Sequence, residues 1–326
     1  MSQVRVAVDV GYWGTKVLWA NGEHGSSIFP SAVGTPDEAR FSLGFEGKSI
    51  ILREPRNVVI GRRALMTSRH VVQSRSPDWV RSPEWYDLFL ASLTEVTQAL
   101  NYNLDLCVGL PMAHYKPNKE IVRARLQDTH VVVREGRQPQ RFHVHEVRVV
   151  PQAWGVVIDQ AIDGNGEYDV SWLNYTVGVI DIGGNTTNIL ALDGLAEVPS
   201  GSTSIAKGAM DITSALQAWL NDNCPGLSLR THKLMRAVTD RKVMYDGEWI
   251  DLSEVIEGIA EPMVAEVVAQ TSQRWPNLVG IDKLLIGGGG GALLGAYIQE
   301  RIPRAILVDD PVMANVRGYF KLLGVK

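Results

Sequence analysis

Two short stretches half a chain apart share one pattern, and that duplication limits the fold more than any other feature. Val4–Val8 leads into Asp9, a turn with Gly11 and Gly14, then Thr15, Lys16 and Val17-Leu18-Trp19. Val177–Ile180 leads into Asp181, a turn with Gly183, Gly184, Asn185 and Thr186, then Thr187 and the apolar run Ile189–Leu192. Asp9 aligns with Asp181, Gly11 with Gly183 and Thr15 with Thr187, an offset of 172 in 326 residues. A β-branched run, a Gly-rich turn and a second apolar run read as a hairpin. Glycine lets such a turn take positive φ and come close to a ligand. Turn N–H groups and the side chains of Asn185, Thr186 and Thr187 can then face phosphate oxygens. Lys16 is a natural phosphate counter-charge. One such hairpin is an ordinary turn. Two predict related halves, each offering an aspartate and a glycine turn to a shared cleft.

Length and composition fit that architecture: 326 residues suffice for two domains with buried cores, and 45% hydrophobic with 21% charged content is that of a soluble globular protein. A net charge of −4 argues against direct nucleic-acid binding. Cys107 and Cys224 have no metal-ligand or disulfide spacing and read as buried packing residues. No apolar run is long enough for a membrane span, and the first residues do not read as a signal peptide, so a cytoplasmic location without membrane attachment is expected.

The stretches between the hairpins place further candidates. Residues 21–80, with arginines at 53, 56, 62, 63, 69, 75 and 81 in and just after them, read as a small basic inserted subdomain with a solvated face. Ser82-Pro83-Glu84 is a helix start, and Phe89, Leu93, Val96 and Leu100 fall on one helical face. A strand follows at Leu104–Leu110, helix is predicted over Glu120–Leu126, and strands over His130–Arg134 and Phe142–Val150. His143 and His145 share a strand face but lack a third metal ligand nearby. Gln152 stands where the last of these strands gives way to an apolar helix. An amide there accepts from and donates to a water without being a strong base. A loop at 163–166 separates the halves, giving a first lobe over 1–165 and a second over 166–326. Gly208 precedes a helix whose first turn carries Asp211, placed either for a ribose hydroxyl or to offset the helix dipole. An insert occupies about 222–275, including a long helix over 252–275. Lys283–Ile286 is a strand that ends in Gly287, Gly288, Gly289, Gly290 and Gly291 before a helix, where a flat base or sugar can lie against bare backbone. The same glycines partly fit a dinucleotide fingerprint, a reading set aside because only 35 residues follow Gly291. A terminal helix from about Pro311 is expected to pack back across the lobes.

Taken in order, the Asp9–Lys16 hairpin, the Gln152 junction, the Asp181–Thr187 hairpin, the Gly287–Ala292 turn and the closing helix resemble the actin, sugar-kinase and chaperone ATPase superfamily. Gly109-Leu110-Pro111 and Pro-x-x-Ala-Asn-x-x-Gly-Tyr over Pro311–Tyr319 are similar to bacterial and archaeal actin-like proteins of the plasmid-segregation (ParM) type. The connecting position departs from that group, in which glutamate is frequent, and matches the glutamine of eukaryotic actin. The resemblance implies an α/β fold of two related lobes with duplicated βββαβα cores and small inserted subdomains around a nucleotide cleft. It implies ATP or GTP with Mg2+ as ligands, Asp9 and Asp181 holding the metal mainly through its waters, and Gln152 orienting the lytic water. Gly11, Gly14, Thr15, Lys16 and the Gly183–Thr187 turn would bind phosphates. Gly208, Asp211 and Gly287–Gly290 would hold ribose and base. The function implied is a polymerising nucleotidase whose polar filaments segregate plasmid or other DNA through a DNA-binding adaptor protein. A small-molecule kinase of the same superfamily is the alternative; it calls for a catalytic aspartate aimed at a substrate hydroxyl, for which no convincing residue stands out.

Overall fold

The computed structural model describes residues 3–36, 50–73, 76, 78–163 and 166–324. Arg75, and the Gly164 and Asn165 of the loop expected to separate the halves, lie outside the described residues. The chain forms two compact units, Met1–Val170 with Met313–Lys326, and Ser171–Val312.

The first unit runs β1 (Gln3–Val10), β2 (Gly14–Ala20), β3 (His24–Pro30), β4 (Val33–Gly34), β5 (Ile50–Glu54), β6 (Val58–Ile60), α1 (Arg62–Thr67), β7 (Val71–Val72), α2 (Pro83–Val96), β8 (Asn101–Leu110), α3 (Met112–Leu126), β9 (Thr129–Arg134), β10 (Gln140–Pro151) and α4 (Trp154–Ala161). All ten strands join one sheet in the order β3-β2-β1-β8-β10-β9-β5-β6-β4-β7. β1, β2 and β3 are a meander, and β8 returns parallel to β1 after the α2 crossover, as a parallel neighbour requires. Because β3 belongs to this meander, the expected insert at 21–80 is shorter than its sequence suggested. The α2 start is as read: Ser82 Oγ accepts from the Trp85 amide 3.1 Å away, with Pro83 at the first helical position. The helix ends at Val96, and Leu100 is 43% exposed rather than on its buried face. The next helix begins at Met112, well before Glu120. Its first half is polar and contains Pro117, so periodicity hides it; the Asn118 side chain donates to the His114 carbonyl at 2.8 Å within that stretch. Both cysteines are buried, and burial pushes the Cys107 thiol pKa up, which keeps it neutral. His143 shares a 2.8 Å hydrogen bond with Thr129.

The second unit runs β11 (Thr176–Ile182), β12 (Thr187–Asp193), β13 (Ala196–Glu197), β14 (Thr203–Ile205), α5 (Ala209–Asn223), α6 (Thr231–Asp240), β15 (Lys242–Tyr245), β16 (Glu248–Asp251), α7 (Ser253–Arg274), β17 (Lys283–Gly287), α8 (Gly291–Arg301) and β18 (Ala305–Leu307). Its main sheet has the order β13-β12-β11-β17-β18, with β14 also on β12. An antiparallel hairpin partner on one side of the first strand and two successive parallel strands on the other repeat the β2-β1-β8-β10 order of the first unit. The duplication read from two hairpins is therefore a duplication of sheet topology. The core lies between this sheet and α5, α7 and α8, with Ile180, Ile189, Leu216, Ile256, Val264, Ile286 and Leu294 among its buried members.

The last helix, α9 (Ala314–Leu322), belongs to the first unit, where it packs on α4 and on the β1–β8 region. Tyr319 is fully buried there with Ala7, Cys107, Val150 and Val316. No helix among the described residues is long and apolar enough to cross a membrane.

Candidate functional site

The two hairpins superimpose in register as well as in sequence. Asp9 faces Lys16 and Val10 faces Thr15 across the first; Asp181 faces Asn188 and Ile182 faces Thr187 across the second. Each turn is closed by the same bond, Gly11 N to Gly14 O at 3.2 Å and Gly183 N to Thr186 O at 2.8 Å. Both aspartates are 3% exposed at strand ends. Among the described residues, the amides of Tyr12 and Trp13 in one turn and of Gly184 and Thr186 in the other take no backbone partner. Buried carboxylates beside unused turn amides suit a phosphorylated ligand with a hard, hydrated cation, because the amides meet phosphate oxygens and the carboxylates meet metal-bound water.

In the first unit the carboxylate is already engaged. Lys16 Nζ lies 2.8 Å from Asp9 Oδ2, and Gln152 Nε2 donates to Asp9 Oδ1 at 2.8 Å. A carboxylate only accepts, so Gln152 must turn its NH2 toward Asp9. That leaves Oε1 without a protein partner among the described residues, as an acceptor for a water O–H. Gln152 is held at the end of β10 by its own amide, which donates to Leu110 O at 2.7 Å. The structure thus brings Asp9, Lys16 and Gln152 together across 143 residues of sequence.

The second hairpin is supported differently. Asn188 Oδ1 accepts from Ser204 Oγ at 3.0 Å. The Gly287–Gly291 turn packs directly on the hairpin: Gly287 pairs with Asp181, and Gly290 N donates to Ile182 O at 2.7 Å. Gly288 has φ +82°, and a Cβ there would collide with Ile182 O and Asp181 Oδ1. Glycine is required at 288 on both counts. Gly289 instead faces open space.

Several expected ligand groups have protein partners. Thr15 and Thr187 are fully buried; Thr15 shares a 2.9 Å bond with Ser31, and Thr187 Oγ1 donates to Lys207 O at 3.0 Å. These equivalent threonines pin their hairpins from beneath. At the start of α5, Ala209 N and Met210 N donate to Gly183 O and Gly184 O at 3.0 and 2.8 Å, while Gly208 N donates to Asp211 Oδ2 at 2.8 Å. The helix N-terminus therefore braces the second turn. A Cβ on Gly208 would sit 2.5 Å from the Gly184 carbonyl, so that close approach depends on glycine. Missed by the sequence reading were Ser31, for which no local pattern exists, and Asn315, which lies inside the noted Pro311–Tyr319 motif and accepts from the Ala153 amide; Asn188 entered only as the counterpart of Lys16 in the repeat, without a role.

Comparisons with known proteins bear on the family and the fold. Residues 7–155 match the model for the actin like proteins N terminal domain, and residues 179–300 match that for the C-terminal domain of the archaeal MreB-like actin homologue. The chain belongs to the actin-like proteins. Its fold is similar to that of a non-polymerisable quadruple mutant of pCBH ParM, with a TM-score of 0.82 at 19% identity over 99% of each chain. It is also similar to Ta0583, an archaeal actin homologue solved in complex with ADP, with a TM-score of 0.81 at 20% identity over 99% of each chain. A 15-stranded ParM filament from Clostridium botulinum gives 0.80 at 20% identity, again over 99% of each. No curated protein matches the chain at the level of sequence.

Proposed function

We propose that this protein is a nucleotide-dependent polymerising actin-like protein that hydrolyses ATP or GTP with Mg2+. The observation that carries this reading is the matched pair of hairpins, each with a buried aspartate at the strand end and unused turn amides beside it. The ADP complex of Ta0583 and the filament of the Clostridium botulinum ParM support it by likeness of fold.

In this reading the turn amides and Lys16 bind the β- and γ-phosphates, and Asp9 and Asp181 hold the metal mainly through its waters. The ion, when bound, neutralises phosphate charge. Gly287–Gly290 and the start of α5 border the nucleoside. Gln152, fixed to Asp9 through Nε2, accepts a water O–H at Oε1 and orients the water toward the terminal phosphorus. The water oxygen bonds to that phosphorus as the bridging P–O bond breaks. The electron pair leaves on the diphosphate, and the proton departs with phosphate or solvent. Residues that only position a water give slow turnover until the geometry is completed, and assembly with further copies is the step that completes it. Filaments grow with bound triphosphate and weaken after hydrolysis. Their cargo is plasmid or other DNA, reached through a DNA-binding adaptor protein, since the net charge of −4 does not favour direct contact.

Light scattering and electron microscopy after adding ATP or GTP with Mg2+ test the proposal. Filaments that form with triphosphate and shrink as phosphate is released are expected. Steady hydrolysis without scattering, rising with added sugar, would replace the reading with a kinase.

A further inference from the structure

We propose that Asn315, on the terminal helix, is a positioning residue for Gln152, acting through the backbone of Ala153. The inference rests on the water-orienting role given to Gln152 above. Gln152 lies between two anchored amides. Its own N–H is tied to Leu110 O, and the next N–H, of Ala153, donates to Asn315 Oδ1 at 3.1 Å. Ala153 has φ 70° and ψ −35°, a conformation that residues other than glycine adopt only where the surroundings enforce it. It is also fully buried, so its amide has no water to turn to if Asn315 is removed. This turn reverses the chain from β10 into α4 and sets the direction in which Gln152 leaves the backbone toward Asp9.

What docks the helix differs from what holds the turn. α9 is seated on α4 by Gly318 against Gly155, where a Cβ on either glycine would collide with the other helix. Asp159 of α4 adds ion pairs to Arg317 at 2.6 Å and to Lys321 at 2.9 Å. The Asp159 ion pairs lie more than one helical turn from Ala153, whereas Gly155 is two residues from it and packs on the Asn315 backbone. Of the residues on α9, Asn315 supplies the side chain that reaches the turn. Its place in the first turn of α9 also suits an acid, which the helix dipole favours.

That division sets the test, made on the full chain by phosphate release against ATP and GTP concentration with Mg2+, thermal unfolding, and hydrogen exchange across residues 150–156. Asn315→Ala is expected to lower kcat by roughly ten- to a hundredfold, because a misplaced water-orienting group costs rate far more than affinity. KM should stay within about twofold, as for loss of an interaction made only in the transition state. Exchange at the Ala153 amide should rise. Asn315→Asp keeps the accepting oxygen and should restore most of the rate and the protection. Arg317→Ala should lower the melting temperature while leaving kcat near wild type. Wild-type kcat in Asn315→Ala, or an equal rate loss in Arg317→Ala, overturns the inference and leaves the functional reading intact. So does a folded Asn315→Asp without recovery. If Asn315→Ala does not fold, Asn315→Gln displaces the same oxygen, and full kcat there is equally fatal. A folded wild-type protein that releases no phosphate overturns the functional reading and this inference with it.

Discussion

The two hairpins have the same backbone and different chemistry. Strand register, turn bond and the buried aspartate are common to both, down to the threonine after the turn that is tied to the protein beneath. Across from the aspartate, however, the first hairpin has Lys16 and the second has Asn188. The first carboxylate is met by the Lys16 cation, which can change partner when a phosphate arrives, and by the Gln152 amide that it orients. The second is bordered by the backbone of the glycine turn at 287–291. In the proposed nucleotidase this makes the first hairpin the responsive side, where charge and water are managed, and the second the backbone seat.

The harshest way to break the comparison is to remove an aspartate. Asp181→Ala is expected to reduce phosphate release by more than roughly a hundredfold, as for loss of a transition-state anchor. Turnover close to wild type would show that the second hairpin is not part of the site. Gln152→Ala should slow phosphate release by about tenfold to a hundredfold while nucleotide still binds, and filaments seen by microscopy should persist longer. Lost nucleotide binding, followed with fluorescent ADP, would make Gln152 a structural residue instead. Gly288→Ala probes the backbone seat. Positive φ and the collision with Ile182 O should destabilise the protein by roughly 1–3 kcal/mol in urea unfolding, whereas the same change at Gly289, which faces open space, should cost about 0–0.5 kcal/mol. The mildest test makes the hairpins alike. Lys16→Asn gives the first the residue of the second and should raise KM for the triphosphate by roughly tenfold, the loss of one charge-assisted contact. An unchanged KM would mean that Lys16 serves only to hold Asp9.

Much of this was legible in the linear chain because it is local. A hairpin announces itself through β-branched runs and turn glycines, and the 172-residue repeat survives because both copies need the same turn. The Ser82-Pro83 cap was legible for the same reason. Other features were obscured by local signals that point the wrong way. The polar first half of α3 hides a helix, and a continuing apolar pattern carries α2 past its true end to an exposed Leu100.

By itself, then, the chain order determined the two matching hairpins and the aspartates at their strand ends, since both follow from contacts between residues close in sequence. Tertiary structure alone decided which neighbours those aspartates keep. It set Gln152 on Asp9, closed the start of α5 onto the second turn, and brought Asn315 to Ala153 from 162 residues away. Hydrogen-bond partners of buried groups are assigned by whatever the fold brings within about 3 Å, and no pattern of neighbouring residues encodes that distance.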